Sequence, residues 1–204
     1  MESFKQWLSQ YPGYAIGLVA VCIAAFFIFR AAGRSYKRYY QRYRSEEANI
    51  KHLLELKEKF ADLTENVIKD ADDSELLEGV ALSYQLKLQK FQNMEEEFAK
   101  LSFEQQYVYA LDVFTQEKCV KDFFKENGKE LTEIILPAFC MIGLEKEAKE
   151  AKKLKLMFDE SDETTSVNEK TIESVEKFFE ENDVLTKVKQ CAAKYIKENA
   201  EKFV

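Results

Sequence analysis

A chain of 204 residues, 46% hydrophobic and 13% aromatic, is long enough for one ordinary domain plus an appendage and apolar enough to build a core, which excludes a disordered protein. Six Gly and two Pro supply too few turn signals for an all-β fold, so an all-α architecture is expected. The formal charge of -7 is unevenly placed: residues 1–44 hold seven basic residues and one acid, leaving 23 basic and 36 acidic residues, a net of -13, in the remainder.

The first element is apolar. Between Lys5 and Arg30 lie 24 residues without a charge, densest over YAIGLVAVCIAAFFIF, Tyr14 to Phe29. A helix of that length reaches roughly 36 Å, against a hydrocarbon core of about 30 Å. Trp7, Leu8 and Tyr11 suit the interface on one side. A buried core helix would carry a polar stripe, which this run lacks. A cleaved signal peptide would open on a basic segment and end at a small-residue cleavage site, whereas MESFK balances Glu2 against Lys5 and a basic cluster follows the run. Residues 1–33 therefore read as an uncleaved single transmembrane helix.

Past the run comes RAAGRSYKRYYQRYR. Its cations, Arg30, Arg34, Lys37, Arg38, Arg42 and Arg44, fall within the window of about 15 residues in which positive charge orients a span. This predicts a protein of the cell (inner) membrane, N-terminus out and C-terminal body in the cytoplasm. Tyr36, Tyr39, Tyr40 and Tyr43 fit a helix at the headgroup layer, with the cations against anionic lipid. A nucleic-acid arm uses the same residue types, but the adjacent span makes lipid the simpler partner, and direct nucleic-acid contact is not expected. Of the four cysteines, Cys22 sits in the apolar run, while Cys119, Cys140 and Cys191 are widely spaced; reduced thiols in a cytosolic setting are expected.

Residues 34–72 read as a basic juxtamembrane and linker helix. Ile50, Leu53, Leu54, Leu56, Phe60, Leu63 and Val67 recur at three and four, which carries that helix to about residue 68. DADDSE interrupts the pattern, and a helical domain is expected over 73–204. Ser74 is the expected N-cap of its first helix, with an apolar face of Leu77, Ala81, Tyr84, Leu88, Phe91, Met94 and Phe98. Ser102 with Gln105 forms a capping box ahead of the next. ENGKE, around Gly128, marks a turn, after which LTEIILPAFCMIGL should be the most buried helix, starting or bending near Pro137 and ending at Gly143. A charged helix follows, then a loop over Phe158 to Glu169, then a helix pair from about Lys170 to Phe203 with a break at Asn182 and Asp183.

SFEQQYVYALDVFTQE (Ser102 to Glu117), DFFKENG, LPAFCMIGLEKEAKEAKKLKLMF (Leu136 to Phe158) and AAKYIKENAEKFV (Ala192 to Val204) resemble, in that order, the blocks of a bacterial domain family of unknown function named after a DNA-mimic protein. The resemblance covers about 84–204. It implies an all-helical domain and a carboxylate surface that DNA-binding proteins take for phosphate. Members carry an Asn-Asn-Gly-Gly-Phe segment between a Glu and the paired Phe; here Glu117 is followed by KCVKD and then Phe123 and Phe124, so that glycine turn is missing.

The chemistry-bearing residues are sparse. His52 is the only histidine, which rules out a multi-His metal site within one chain. The cysteines lack CxxC spacing, and Cys119 has only Lys118 and Lys121 beside it as activators. DESDETTSVNEK has Lys170 where a calcium loop needs its bidentate Glu. A Gly-rich phosphate loop is absent from the sequence. The expectation is a protein without catalytic activity or cofactor.

Surface remains. Acids cluster at Asp70, Asp72, Asp73, Glu75 and Glu78, at Glu95, Glu96 and Glu97, and at Glu176, Glu180, Glu181 and Asp183. They suit a solvated face that keeps the body soluble and off an anionic membrane, or a surface for a basic partner. Three functions compete: a membrane-anchored helical interaction domain, an acidic DNA mimic that sequesters a basic DNA-binding protein, and a small hydrolase whose site the sequence does not display.

Overall fold

The computed structural model describes residues 47–159 and 168–204, and all regular structure among them is helical. The helices are α1 (47–59), α2 (Glu65–Asp70), α3 (Asp73–Leu88), α4 (Met94–Phe98), α5 (Phe103–Gln116), α6 (Val120–Glu126), α7 (Lys129–Met141), α8 (Glu145–Asp159), α9 (Glu169–Glu181) and α10 (Val184–Glu198), followed by a 3₁₀ turn at Ala200–Lys202. The all-α expectation holds. No helix among the described residues is long and apolar enough to cross a membrane. The apolar run, the basic collar and positions 160–167 of the expected loop lie outside them, while Phe158 belongs to α8 and Glu169 to α9.

Leu54–Val204 form one compact unit. The described part of the preceding unit, 47–53, is helical and presents Ile50 and Leu53 to solvent. At the centre of the compact unit lies α5, which packs against α3, α7 and α10. Its capping box forms as the sequence implies: Ser102 Oγ accepts from the Gln105 amide at 3.3 Å, and Gln105 Oε1 accepts from the Ser102 amide at 3.2 Å. Gln105 Nε2 also donates to the Lys202 carbonyl, and the buried Tyr84 hydroxyl donates to the Phe203 carbonyl at 2.9 Å. Two side chains thereby tie the C-terminus to α3 and α5.

The aromatic centre explains the paired phenylalanines. Phe114 of α5 stands edge-on to Phe123 of α6 (5.3 Å between ring centroids) and to Phe139 of α7 (5.1 Å), and Phe179 of α9 lies 5.9 Å away. Four helices converge on one ring, in the offset geometries that aromatic quadrupoles favour.

Several local expectations change. The helix expected to continue to residue 68 stops at 59, because Phe60 turns inward (1% exposed) and Thr64 opens α2 by accepting from the Val67 amide. Leu56, Phe60 and Leu63 of the three-and-four series join the core across that turn together with Ile68 and Ala71, and Val67 packs against it partly buried, whereas Ile50, Leu53 and Leu54 are exposed. Gly79 permits the approach: a Cβ there would meet the Phe60 ring at 2.3 Å. The cap of α3 is Asp72, not Ser74; Asp72 Oδ1 accepts from the Ser74 amide and hydroxyl at 2.8 and 2.6 Å, and these bonds hold its carboxyl below the ordinary range. The most buried helix is α3, with eight residues inside, rather than α7 with four. α7 does not start near Pro137, which lies inside the helix, eight residues past its first residue. Both Pro137 and Glu133, whose carbonyl loses its helical donor there, lie on the exposed side. Gly143, at φ +80, ends the segment as expected, with the Leu144 amide donating to the Phe139 carbonyl at 2.8 Å. The final helix pair breaks at Asn182 and Asp183, the latter left-handed at φ 46.

Candidate protein-binding groove

The apolar face read through Leu77, Ala81, Tyr84 and Leu88 to Phe91, Met94 and Phe98 is one face only as far as Leu88. Up to there its residues are buried; Phe91 and Met94 are 51% and 53% exposed. The break is local in origin. α3 ends at Leu88, and Asn93 caps a new helix by accepting from the Glu96 amide at 3.4 Å. The new helix, MEEEF, has three acids between its two apolar residues and buries none of its five side chains. Gln106 of α5 holds it by donating to the carbonyls of Phe98 and Leu101 at 3.3 and 2.9 Å.

This arrangement leaves a groove of about 290 Å³ between α3, α4, α5 and α7. Gln85, Leu88 and Gln89 form one wall, Met94, Glu95 and Phe98 another, and Tyr109, Glu130 and Leu131 the floor and far side. Phe98 meets Tyr109 edge-on at 5.4 Å. Burial and then the Asp112 carboxylate raise the Tyr109 hydroxyl above its ordinary range, so it stays a neutral donor. The lining is apolar with two carboxylates and two amides. It is suited to holding apolar side chains.

A second cavity, of about 460 Å³, lies where α6 begins against α9 and α10. It gathers Cys119, Glu176, Glu180 and Asp183, so the structure brings the one cysteine with basic neighbours up against three of the nominated acids. The Cys119 thiol is pushed up to about 11, first by burial and then by Asp122, whose Oδ2 it donates to at 2.7 Å, so it is protonated at neutral pH. Glu176 is engaged structurally: its two carboxylate oxygens accept from the Val120 and Lys121 amides at 3.2 and 2.8 Å. Because the cap residue Cys119 makes no side-chain cap bond, an acid from α9 satisfies the orphan donors of α6. Cys140 is exposed and Cys191 half-buried, and neither shares this cavity.

The other acids divide in the same manner. Asp73 pairs with Lys197, Glu75 with Lys59 at 2.6 Å, Glu97 with Lys100 at 2.5 Å and Glu181 with Lys177 at 3.5 Å. Asp70, Glu95, Glu96 and Glu180 are exposed and form no ion pair within 4.0 Å among the described residues. His52 is exposed on α1, and no group of three or more His, Cys, Asp or Glu among the described residues is placed to hold a metal ion. Arg30, Arg34, Lys37, Arg38, Arg42, Arg44 and their four interleaved tyrosines fall outside the described residues.

The groove was missed in the sequence because Met94 and Phe98 complete a helical period with α3. Asn93, three residues ahead of Glu96, is the signal that breaks it. Comparison with family models, with curated proteins and with solved structures finds no match to this chain.

Proposed function

We propose that this chain is a membrane-tethered, non-catalytic helical module whose cytoplasmic body binds another protein. The observation that carries the reading is the groove at α4: Met94, 53% exposed, and half-buried Phe98 line an apolar trough between helices, and exposed Phe91 lies three residues before Met94. The charge-free run over residues 6–29 and the cations after it supply the tether and its orientation.

An acidic DNA mimic is the reading that the family resemblance over 84–204 favours. It calls for a row of free carboxylates at phosphate-like spacing. Asp72, Asp73, Glu75, Glu97, Glu176 and Glu181 instead cap helices or pair with lysines, which supports the interaction module over the mimic.

Two measurements test the proposal. Protease added to spheroplasts is expected to leave residues 45–204 intact; digestion of that part from outside overturns the topology. A photo-crosslinking residue placed at position 94 of the full-length chain, in cells, is expected to give an adduct of one defined mass, whereas the same residue at exposed Lys152 is not. Equal labelling from both positions, or none from 94, removes the interaction site. A partner that dissociates steeply as salt rises, and crosslinks from Glu180 rather than from 94, restores the mimic.

A further inference from the structure

We propose that the groove takes a basic amphipathic helix from its partner, with apolar anchors seated against Met94, Phe98, Tyr109 and Leu131 and with Lys or Arg flanks facing Glu95 and Glu130. This rests on the interaction-module reading and names the chemistry of the occupant.

Three observations carry it. The first is charge: the residues lining the groove include two carboxylates and no cation. Glu95 and Glu130 form no ion pair within 4.0 Å among the described residues, although Glu97, on the same short helix as Glu95, pairs with Lys100. Lys129, which precedes Glu130, does not line the groove, and Lys87 and Lys90 line the separate cavity beside Phe60 instead. An anionic surface, whether membrane or nucleic acid, meets repulsion here, and a cationic flank meets two available acceptors.

The second is the nature of the apolar lining. Methionine is unbranched and adapts to different side chains, and Tyr109 is a rigid anchor with its hydroxyl protonated. The third is the form of the site. The described residues contain no strand, so there is no sheet edge for an extended peptide to join, and the groove is walled by helices on three sides. Helix-in-groove recognition, with anchors at i, i+3, i+4 and i+7, is the mode such a trough accepts.

The test uses the full-length chain in neutral-lipid nanodiscs, with empty discs as blank and three fluorescein-labelled 18-residue peptides as probes. One carries Leu and Phe at i, i+3, i+4 and i+7 with Lys elsewhere, its twin carries Glu in place of Lys, and the third keeps the Lys content with the anchors scrambled. The Lys peptide is expected to bind at least about tenfold more tightly than either control. Met94→Ser, at an exposed position, is expected to weaken binding about tenfold with an unchanged melting curve. The double variant Glu95→Lys with Glu130→Lys is expected to reverse the preference in favour of the Glu twin. Equal binding of the twins, equal binding of the scrambled peptide, or a preference that survives the double reversal overturns the proposal. So does self-association of the chain that Met94→Ser abolishes and the Lys peptide does not compete away, which would make a second copy the occupant. If none of the peptides binds while the label at position 94 still captures a partner, the basic-helix occupant is wrong and the interaction module stands.

Discussion

α3 and α4 are consecutive, carry one continuous apolar period and meet opposite fates. α3 puts eight of its 16 residues inside the core, while α4, five residues away in sequence, buries none. Acids differ between regions in the same way. Asp72 caps α3 and Glu176 caps α6, while Glu95 and Glu96 hold no other element in place. The teaching is that residue type and periodicity do not separate a side chain that stabilises the fold from one that no other element engages. Partners do: a carboxylate bonded to backbone amides belongs to the structure, and one without a counter-charge beside an open apolar trough is available.

The comparison breaks most visibly at two phenylalanines. Phe114, 1% exposed and in edge contact with rings from α6 and α7, should cost about 3–5 kcal/mol when truncated to Ala, because the cavity adds to the lost transfer energy. Phe91→Ala should change stability by less than about 0.5 kcal/mol, because that ring is half in water already. Urea unfolding of both variants of the full-length chain checks this. A comparable loss at both positions would mean that the segment around α4 belongs to the core, and the groove reading would fall with it.

Much of the fold was legible in the sequence because capping and turn chemistry are local. Ser102 with Gln105, Gly128, Gly143 and the break at Asn182 and Asp183 all sit where short-range rules place them. What was not legible depends on distant partners. Phe60 turns inward because Gly79, 19 residues later, leaves room for its ring. Glu176 looked like part of an acidic face, and only its approach to α6, 56 residues upstream of it, makes it a cap. The candidate groove needed both kinds of information: Asn93 to end the period, and Tyr109 and Leu131 from other helices to build the trough.

Asp112 sharpens the contrast between engaged and available acids from inside the core. It is 7% exposed on α5, facing Glu78 of α3 and Lys189 of α10, with Gln116 Nε2 donating to its Oδ2 at 2.7 Å and Tyr109 one turn away on its own helix. Burial, and then Glu78, push its carboxyl up to about 7, against the opposing pull of Lys189 and Gln116. The folded chain therefore keeps a proton that the unfolded chain loses near pH 4. Stability from this group is complete below about pH 4 and is lost as pH rises through about 7. Asp112→Asn, which can still accept from Gln116, should raise stability at pH 8 by on the order of 3 kcal/mol and leave it nearly unchanged at pH 4. Urea midpoints across that range decide it, and an equal gain at both ends would mean that the carboxyl is not protonated in the fold.

The smallest expected effect is also the most direct test of how the acids divide. Glu176→Gln keeps an oxygen that can accept from the Val120 or the Lys121 amide but removes the charge and one of the two acceptors, so α6 loses part of its cap and all of the favourable charge at its N-terminus. Losses of this kind are about 1 kcal/mol. Glu96→Gln removes the same charge from the first turn of α4, where its side chain bonds to no other element and α4 itself contributes no buried residue, so the loss should be within about 0.3 kcal/mol. The two variants change net charge identically, and a difference between their melting curves therefore reports position and not charge. Raising salt should narrow the difference only in part, because the bonds to the α6 amides persist when charge is screened. If the curves coincide, Glu176 is no more a structural acid than Glu96, and the acids around the second cavity return to the pool from which a DNA-like surface could be built.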